Sequence, residues 1–274
     1  MNNFVKRTLS GTFFIALIIS SILLSRYSFA AVFFVICGWT VYEFHKLTNQ
    51  HSHLDVKLWI AMLAGVILFS SSFLYTSGVV RFPIFLIYGL YVIAFLISEL
   101  FRSQTNSLNN WAYFFLGQIF IALPFSLLNF ILFIDGWQPL ILLSVFVTIW
   151  VNDTGAYLIG VNFGKHRLFE RISPKKSWEG FIGGAAAALL SGYVFSLIIP
   201  QICLLNWLVL SEIIVICSTF GDLIESLIKR TIHVKDSGNI IPGHGGLLDR
   251  FDSMLLAAPV AFIYLSFLFY QIYK

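Results

Sequence analysis

The sequence predicts an all-α, polytopic integral membrane protein of about nine transmembrane helices, with its N-terminus cytoplasmic and its C-terminus outside. Three observations carry this. Hydrophobic residues make up 58% of the 274 positions and charged residues only 11%, against about 25% charged in a soluble globular domain. A core of this size cannot hide that much apolar surface from water, so lipid is the solvent. The apolar residues fall into runs near 8–25, 27–44, 58–77, 82–101, 111–134, 138–160, 179–200, 205–228 and 251–272, near the roughly 20 residues a helix needs to cross the hydrocarbon. When the spans alternate from an inside N-terminus, fourteen of the 17 basic residues stay inside: Lys6, Arg7, Lys46, Lys57, Arg102, Lys165, Arg167, Arg171, Lys175, Lys176, Lys229, Arg230, Lys235 and Arg250. Only Arg26, Arg81 and Lys274 fall outside, the asymmetry of the positive-inside rule.

The elements follow in order. The first two runs are short enough for a tight helical hairpin. Lys6-Arg7, an apolar run and Ser28-Phe29-Ala30 also fit a signal peptide, but the span parity requires that this segment stay. Pro83, Pro139, Pro174, Pro200 and Pro242 mark boundaries, whereas Pro124 lies inside the fifth span and is expected to kink it. The runs are too long and too uniformly apolar for a β-barrel. Residues 1–137 read as scaffold and 138–274 as a catalytic region, within one membrane domain that has no separate soluble domain. Cys37, Cys203 and Cys217 form no CxxC pair and read as small buried hydrophobes. His51-Ser52-His53 lacks further ligands nearby for a metal site. Glu43 and Glu99 fall at predicted helix ends and are expected to be solvated. The net charge of +4 is too mild to suggest nucleic acid.

Chemistry-bearing residues gather in the second half. Asp153, in Asn152-Asp153-Thr154-Gly155, stands inside an apolar span, where an acid is costly and a functional candidate. The loop from Lys165 to Gly180 carries five basic residues, either an anchor for anionic lipid or a phosphate-binding loop. Ser173 or Ser177 caps a helix there, and such an N-terminus favours phosphate. Asp222, Glu225, Ser226 and Lys229 stand at i, i+3, i+4 and i+7, so they share one helix face, as intrahelical ion pairs or as a site. Lys235-Asp236-Ser237-Gly238 leads to Pro242-Gly243-His244-Gly245-Gly246, a glycine-rich stretch whose amides can approach an anion. Asp249 and Asp252 follow on the first turn of the last helix, where they cap it or hold Mg²⁺.

The pattern Ser226-x-x-Lys229-Arg230-x4-Lys235-Asp236-x-Gly238-x2-Ile241-Pro242-x-His244-Gly245-Gly246-Leu247-x-Asp249-Arg250-Phe251-Asp252 resembles the signature of the phosphatidate cytidylyltransferases, or CDP-diacylglycerol synthases. Asp153-Thr154-Gly155-Ala156-Tyr157 and Ser173-Pro174-Lys175-Lys176-Ser177-Trp178-Glu179-Gly180 are similar to that family as well. The specific resemblance covers roughly Asn152 to Ser253; the first half is similar only as a run of hydrophobic spans. It implies the reaction CTP + phosphatidate → CDP-diacylglycerol + pyrophosphate in phospholipid biosynthesis. It also implies Mg²⁺ with a possible second cation such as K⁺, a homodimer, and metal roles for Asp222 and Asp249. The compact length and the resemblance place the chain in a bacterial cytoplasmic (inner) membrane, with the site facing the cytoplasm.

On this reading the catalytic set is Asp222, Asp249, Lys229 and Arg250. Lys175, Lys176, Ser177, Ser226, Arg230, Lys235, His244, Gly245 and Gly246 form the substrate-binding set. Asp153, Glu225, Asp236 and Asp252 support the metal or orient the bases. The expected partners are CTP, phosphatidate and membrane lipid. Three rivals define the alternatives. A transporter would show inverted repeats, of which the sequence has no trace. A CTP-dependent lipid-alcohol kinase would need a general base for its hydroxyl. An inactive scaffold would not need every polar position of the signature.

Overall fold

A computed structural model describes residues 3–51, 54–82, 84–102, 106–238, 240, 245–272 and 274. Among these, the helices are α1 (Asn3–Leu24), α2 (Arg26–His51), α3 (Leu58–Thr76), α4 (Phe85–Leu100), α5 (Ser107–Gly117), α6 (Leu123–Leu132), α7 (Pro139–Phe163), α8 (Trp178–Ile198), α9 (Leu204–Thr231) and α10 (Leu248–Ile272). A π-helical turn, Gln118–Ala122, joins α5 to α6, and a two-stranded ribbon, β1 (Arg167–Phe169) and β2 (Ser173–Ser177), lies between α7 and α8. Among the described residues, seven helical segments are long and apolar enough to cross a membrane, counting Ser107–Leu132 as one, while Phe85–Leu100 and the Thr8–Leu24 part of α1 are shorter apolar stretches. The protein is therefore mostly helical, as expected of a polytopic membrane protein. His51 apart, the Ser52-His53 pair, Pro83, Pro242 and His244 lie outside the described residues.

The boundaries differ from expectation in one place. The second run does not end near residue 44, because α2 continues to His51. Its last turns bury Phe44, His45, Leu47 and Thr48, so packing carries the helix through residues whose polarity reads as a loop. With 22 and 26 residues, the first two helices are therefore not short.

The chain forms two compact units, Met1–Trp137 with Ile232–Phe251, and Gln138–Thr231 with Asp252–Lys274. In the first, Phe29, Phe33, Phe69 and Phe125 form a buried aromatic core. Phe251 joins it, with ring centroids 5.1 Å from Phe125 and 6.3 Å from Phe33. The kink expected at Pro124 takes the form of the π turn just before it. Proline offers no N–H to the carbonyl four residues back, and the wider turn redistributes those bonds. Gln118 in that turn donates to the Ala61 carbonyl at 3.1 Å. Glu43 and Glu99 are not solvated; they are 4% and 2% exposed. Glu99 pairs with Arg102 and accepts from Asn110 Nδ2, and Arg102 also pairs with Asp55. Buried charges persist when partners of this kind surround them.

In the second unit, α7 and α8 pass with backbone against backbone. A Cβ on Gly155 would stand 2.7 Å from Ala187 Cβ, and one on Gly180 would stand 2.9 Å from the Ala156 carbonyl oxygen. Small residues permit this approach, and buried polar pairs fix its register. Thr148 and Ser191 hydroxyls meet at 3.0 Å, and Asn152 Nδ2 donates to Ser218 Oγ on α9 at 3.4 Å. The cysteines are unpaired; Cys37 is buried but Cys203 is exposed, against the expectation for all three. His233, just beyond α9, adopts φ 59°, the left-handed conformation that commonly ends a helix.

Candidate active site

The basic loop between α7 and α8 folds back as an antiparallel ribbon, with Arg167 opposite Ser177 and Phe169 opposite Ser173. Both of its ends are tied to the first turn of α8. Glu179 accepts from the Lys165 amide at 3.1 Å and pairs with His166 Nδ1 at 2.6 Å. Ser177 is the N-cap, and its Oγ accepts from the Gly180 amide at 3.1 Å. Of the two serines considered as caps, Ser173 instead begins β2. Ser177→Ala is expected to cost about 1 kcal/mol and to lower Tm in detergent by about 2–4 °C, whereas Ser177→Thr retains the cap; thermal unfolding of both variants checks this.

The ribbon borders a cavity of about 280 Å³ lined by Asn152, Asp153, Lys175, Lys176, Ser177 and Asp222 among others. Lys176 reaches across to α9, with Nζ 2.6 Å from Asp222 Oδ2. Three separate stretches of sequence (the intramembrane Asp153, the basic loop and the α9 stripe) therefore meet at one cavity.

On α9, the stripe is internally bonded. Ser226 Oγ donates to Asp222 Oδ1 at 3.2 Å, and Lys229 Nζ lies 2.5 Å from Glu225 Oε2. The ion-pair reading of this face is thus present, and so is the site reading. Carboxylate oxygens of Asp222, Glu225 and Asp252 all lie within 4.8 Å of one another. Glycine makes this possible: a Cβ on Gly221 would stand 2.6 Å from the Asp252 carbonyl oxygen and 3.2 Å from that of Ser253. The two helices cross at that glycine, one turn before Glu225. With Asp153 beside them, four carboxylates face the ammonium groups of Lys176 and Lys229. Oxygen ligands with an excess of negative charge suit a hard divalent cation such as Mg²⁺. Asp222 and Glu225 are legible as a pair in the sequence, but Asp252 joins them only through the crossing of α9 and α10.

Apart from Arg230, the remaining described candidates lie in the first unit. Asp249 ties Ser237 to Gly246. Its carboxylate accepts from the Ser237 amide at 2.9 and 3.2 Å and from the Gly246 amide at 2.9 Å. Gly245 adopts φ 83°, a conformation glycine takes at little cost. Glu43 of α2 accepts from the Leu248 amide at 3.0 Å. Amides that the sequence offered to a phosphate are therefore engaged by two carboxylates. Lys235, Asp236 and Arg250 are exposed, as is Arg230 at the end of α9. Glu43, expected to be solvated at a helix end, is buried in α2, and an acid inside an apolar helix is a functional candidate.

A helical protein that brings carboxylates and ammonium groups to one cavity belongs to a class suited to anionic phosphates. The family described as the Cytidylyltransferase family matches residues 5–268, and the chain belongs to it; it is a nucleotidyltransferase. The phosphatidate cytidylyltransferase of Bacillus subtilis (strain 168) is 34% identical over 213 residues, 76% of each chain. That of Rickettsia felis is 36% identical over 224 residues, 78% of this chain and 95% of the relative. That of Haemophilus influenzae is 44% identical over 124 residues, 43% of each.

Proposed function

We propose that this chain is a phosphatidate cytidylyltransferase, making CDP-diacylglycerol and pyrophosphate from CTP and phosphatidate. The observation that carries the reading is the meeting of Asp222, Glu225 and Asp252 beside a cavity that also holds Lys175 and Lys176. An oxygen of the lipid phosphate forms a bond to the α-phosphorus of CTP, and the bond from that phosphorus to the pyrophosphate oxygen breaks. A phosphate monoester has a second pKa of about 6, so the nucleophile is already largely dianionic at neutral pH and requires no general base. The obstacle is electrostatic, since one anion attacks another.

In this reading Asp222 holds Mg²⁺, with Glu225 and Asp252 in support. Asp249, aimed by the Ser237 and Gly246 amides, is retained as the second metal-binding acid that the family resemblance implies. Magnesium, when bound, supplies charge neutralisation on the CTP phosphates. Lys175 and Lys176 hold one substrate's phosphate, with Ser177 and Ser226 beside them. Lys229, Arg230, Lys235 and Arg250, with His244, Gly245 and Gly246, serve the other substrate and the departing pyrophosphate. Asp153 and Asp236 orient the neighbouring bases. K⁺ as a companion cation and a homodimeric state are carried by the family resemblance.

The charge asymmetry supports nine spans, with the N-terminus inside and the C-terminus outside. On that topology the site faces the cytoplasm, where CTP is, and phosphatidate enters from the inner leaflet; a bacterial inner membrane is carried by the family resemblance. The test follows CTP labelled on its α-phosphate, with phosphatidate and Mg²⁺ and the protein in detergent. Label is expected in the lipid fraction, lost when the metal is removed. Labelled CDP without labelled lipid, in an assay that includes lipid alcohols, would replace this reading with a kinase.

A further inference from the structure

The first unit carries a charged residue that the reaction scheme above leaves out. Glu43 sits on α2 and is 4% exposed. Its Oε2 accepts from the Leu248 amide at 3.0 Å, across 205 residues of sequence. The Leu247 amide and the Trp39 side chain also donate to the carboxylate, and glycine closes in on both of its oxygens. A Cβ on Gly238 would stand 2.7 Å from Oε1, and one on Gly246 would stand 2.6 Å from Oε2. Withdrawing a carboxylate from water costs several kcal/mol unless donors or opposite charge offset it. Here the offset comes from the first amides of α10, which have no acceptor within the helix and whose end of the helix is electropositive.

Glu43 does not act alone. Asp249 takes the Ser237 and Gly246 amides while Glu43 takes Leu248. The two acids together engage the Ser237, Gly246, Leu247 and Leu248 amides. Asp249 supplies the internal brace and Glu43 the tie to α2. Residues of the loop itself could make the brace, but only another helix can fix where the braced loop stands.

We propose that Glu43 is a positioning residue of the reaction: by accepting from Leu248 beneath Gly238 and Gly246, it sets the direction of Asp249 and of the flanking Lys235 and Arg250. The activity consequence rests on the function proposed above, whereas the tie to Leu248 does not. A requirement on glycine follows, since neither Gly238 nor Gly246 can carry a side chain without displacing the carboxylate.

The experiment joins amide hydrogen exchange to steady-state kinetics on the full chain in detergent, for the native protein, Glu43→Gln and Glu43→Asp. In the native protein, Leu248, Gly246 and Ser237 amides are expected to exchange slowly. Glu43→Gln keeps an amide oxygen as acceptor and is expected to keep that protection, with kcat within about threefold of native. Glu43→Asp retracts the carboxylate by one methylene. It is expected to speed Leu248 exchange at least about 10-fold and to lower kcat at least about 10-fold, leaving the KM for phosphatidate unchanged. Fast exchange at Leu248 in the native protein would overturn the proposal, whether or not any variant folds. So would a Glu43→Gln protein as impaired as Glu43→Asp, since the charge rather than the tie would then matter. Slow exchange in a native protein that transfers no cytidylyl group would leave the tie standing and remove the proposed function.

Discussion

Asp222→Asn is expected to lower cytidylyl transfer by roughly 10³-fold, the several kcal/mol that a correctly held metal contributes. Asp222 does more than its neighbours. It belongs to the carboxylate group with Glu225 and Asp252, pairs with Lys176 at 2.6 Å and accepts from Ser226. The amide preserves shape and can still accept from Ser226, so stability should change little, but it removes the charge that Lys176 answers and that a divalent cation would require. Lys176→Met tests the other half of the pair. It leaves the acid group intact, so it should cost less in kcat than Asp222→Asn and shift a substrate KM instead. Rates measured against Mg²⁺ concentration separate the two: the Asp222 variant should require more metal, the Lys176 variant should not. Equal metal dependence in both would remove Asp222 from the metal.

Gly221→Ala is expected to be nearly as damaging, although it touches no charge. Its Cβ would stand 2.6 Å from a backbone oxygen of α10, so the helices must part rather than a side chain turn aside. Overpacking of this kind costs about 1–3 kcal/mol, and a misplacement near 1 Å costs about 10²-fold in rate. The movement separates Asp252 from Asp222 and Glu225, so activity should fall further than stability. Gly89→Ala is the control: nothing lies within 4 Å of a Cβ there. In the interior of α4 the change should be neutral or stabilising by up to about 1 kcal/mol. Transfer rates and thermal unfolding of both variants check the contrast, and a Gly221→Ala enzyme of native rate would show that the crossing does not set the acid spacing.

The helical class and the positions of the apolar segments are legible in the sequence because lipid imposes one local rule on every span, a sufficient apolar length. The end of α2 is not, since its last turns are held by burial against residues far along the chain. The same division runs through the site. Asp222, Glu225, Ser226 and Lys229 are readable together because helical spacing is local. Ser177 is readable as one of two possible caps, and only the ribbon decides between them. Asp252 beside Asp222, Lys176 against Asp222, and Glu43 beneath Leu248 all depend on which helices meet, and spacing within a helix carries no record of that. Glu43 and Glu99 show the cost of judging an acid by its place in a helix alone: both look solvated from their position and both are buried.

The glycine seam between α7 and α8 has a mechanical consequence. Side chains between two helices act as shims; they change rotamer and let one helix slip against the other. At Gly155 and Gly180 there are no shims, and peptide groups rest almost directly on their neighbours. A displacement at the start of α8 is therefore passed to α7 rather than absorbed. Asp153 rides on one helix, and Lys176 leads directly into the other through the capped turn at Ser177. The two walls of the cavity are thereby held at a fixed spacing by backbone rather than by side chains.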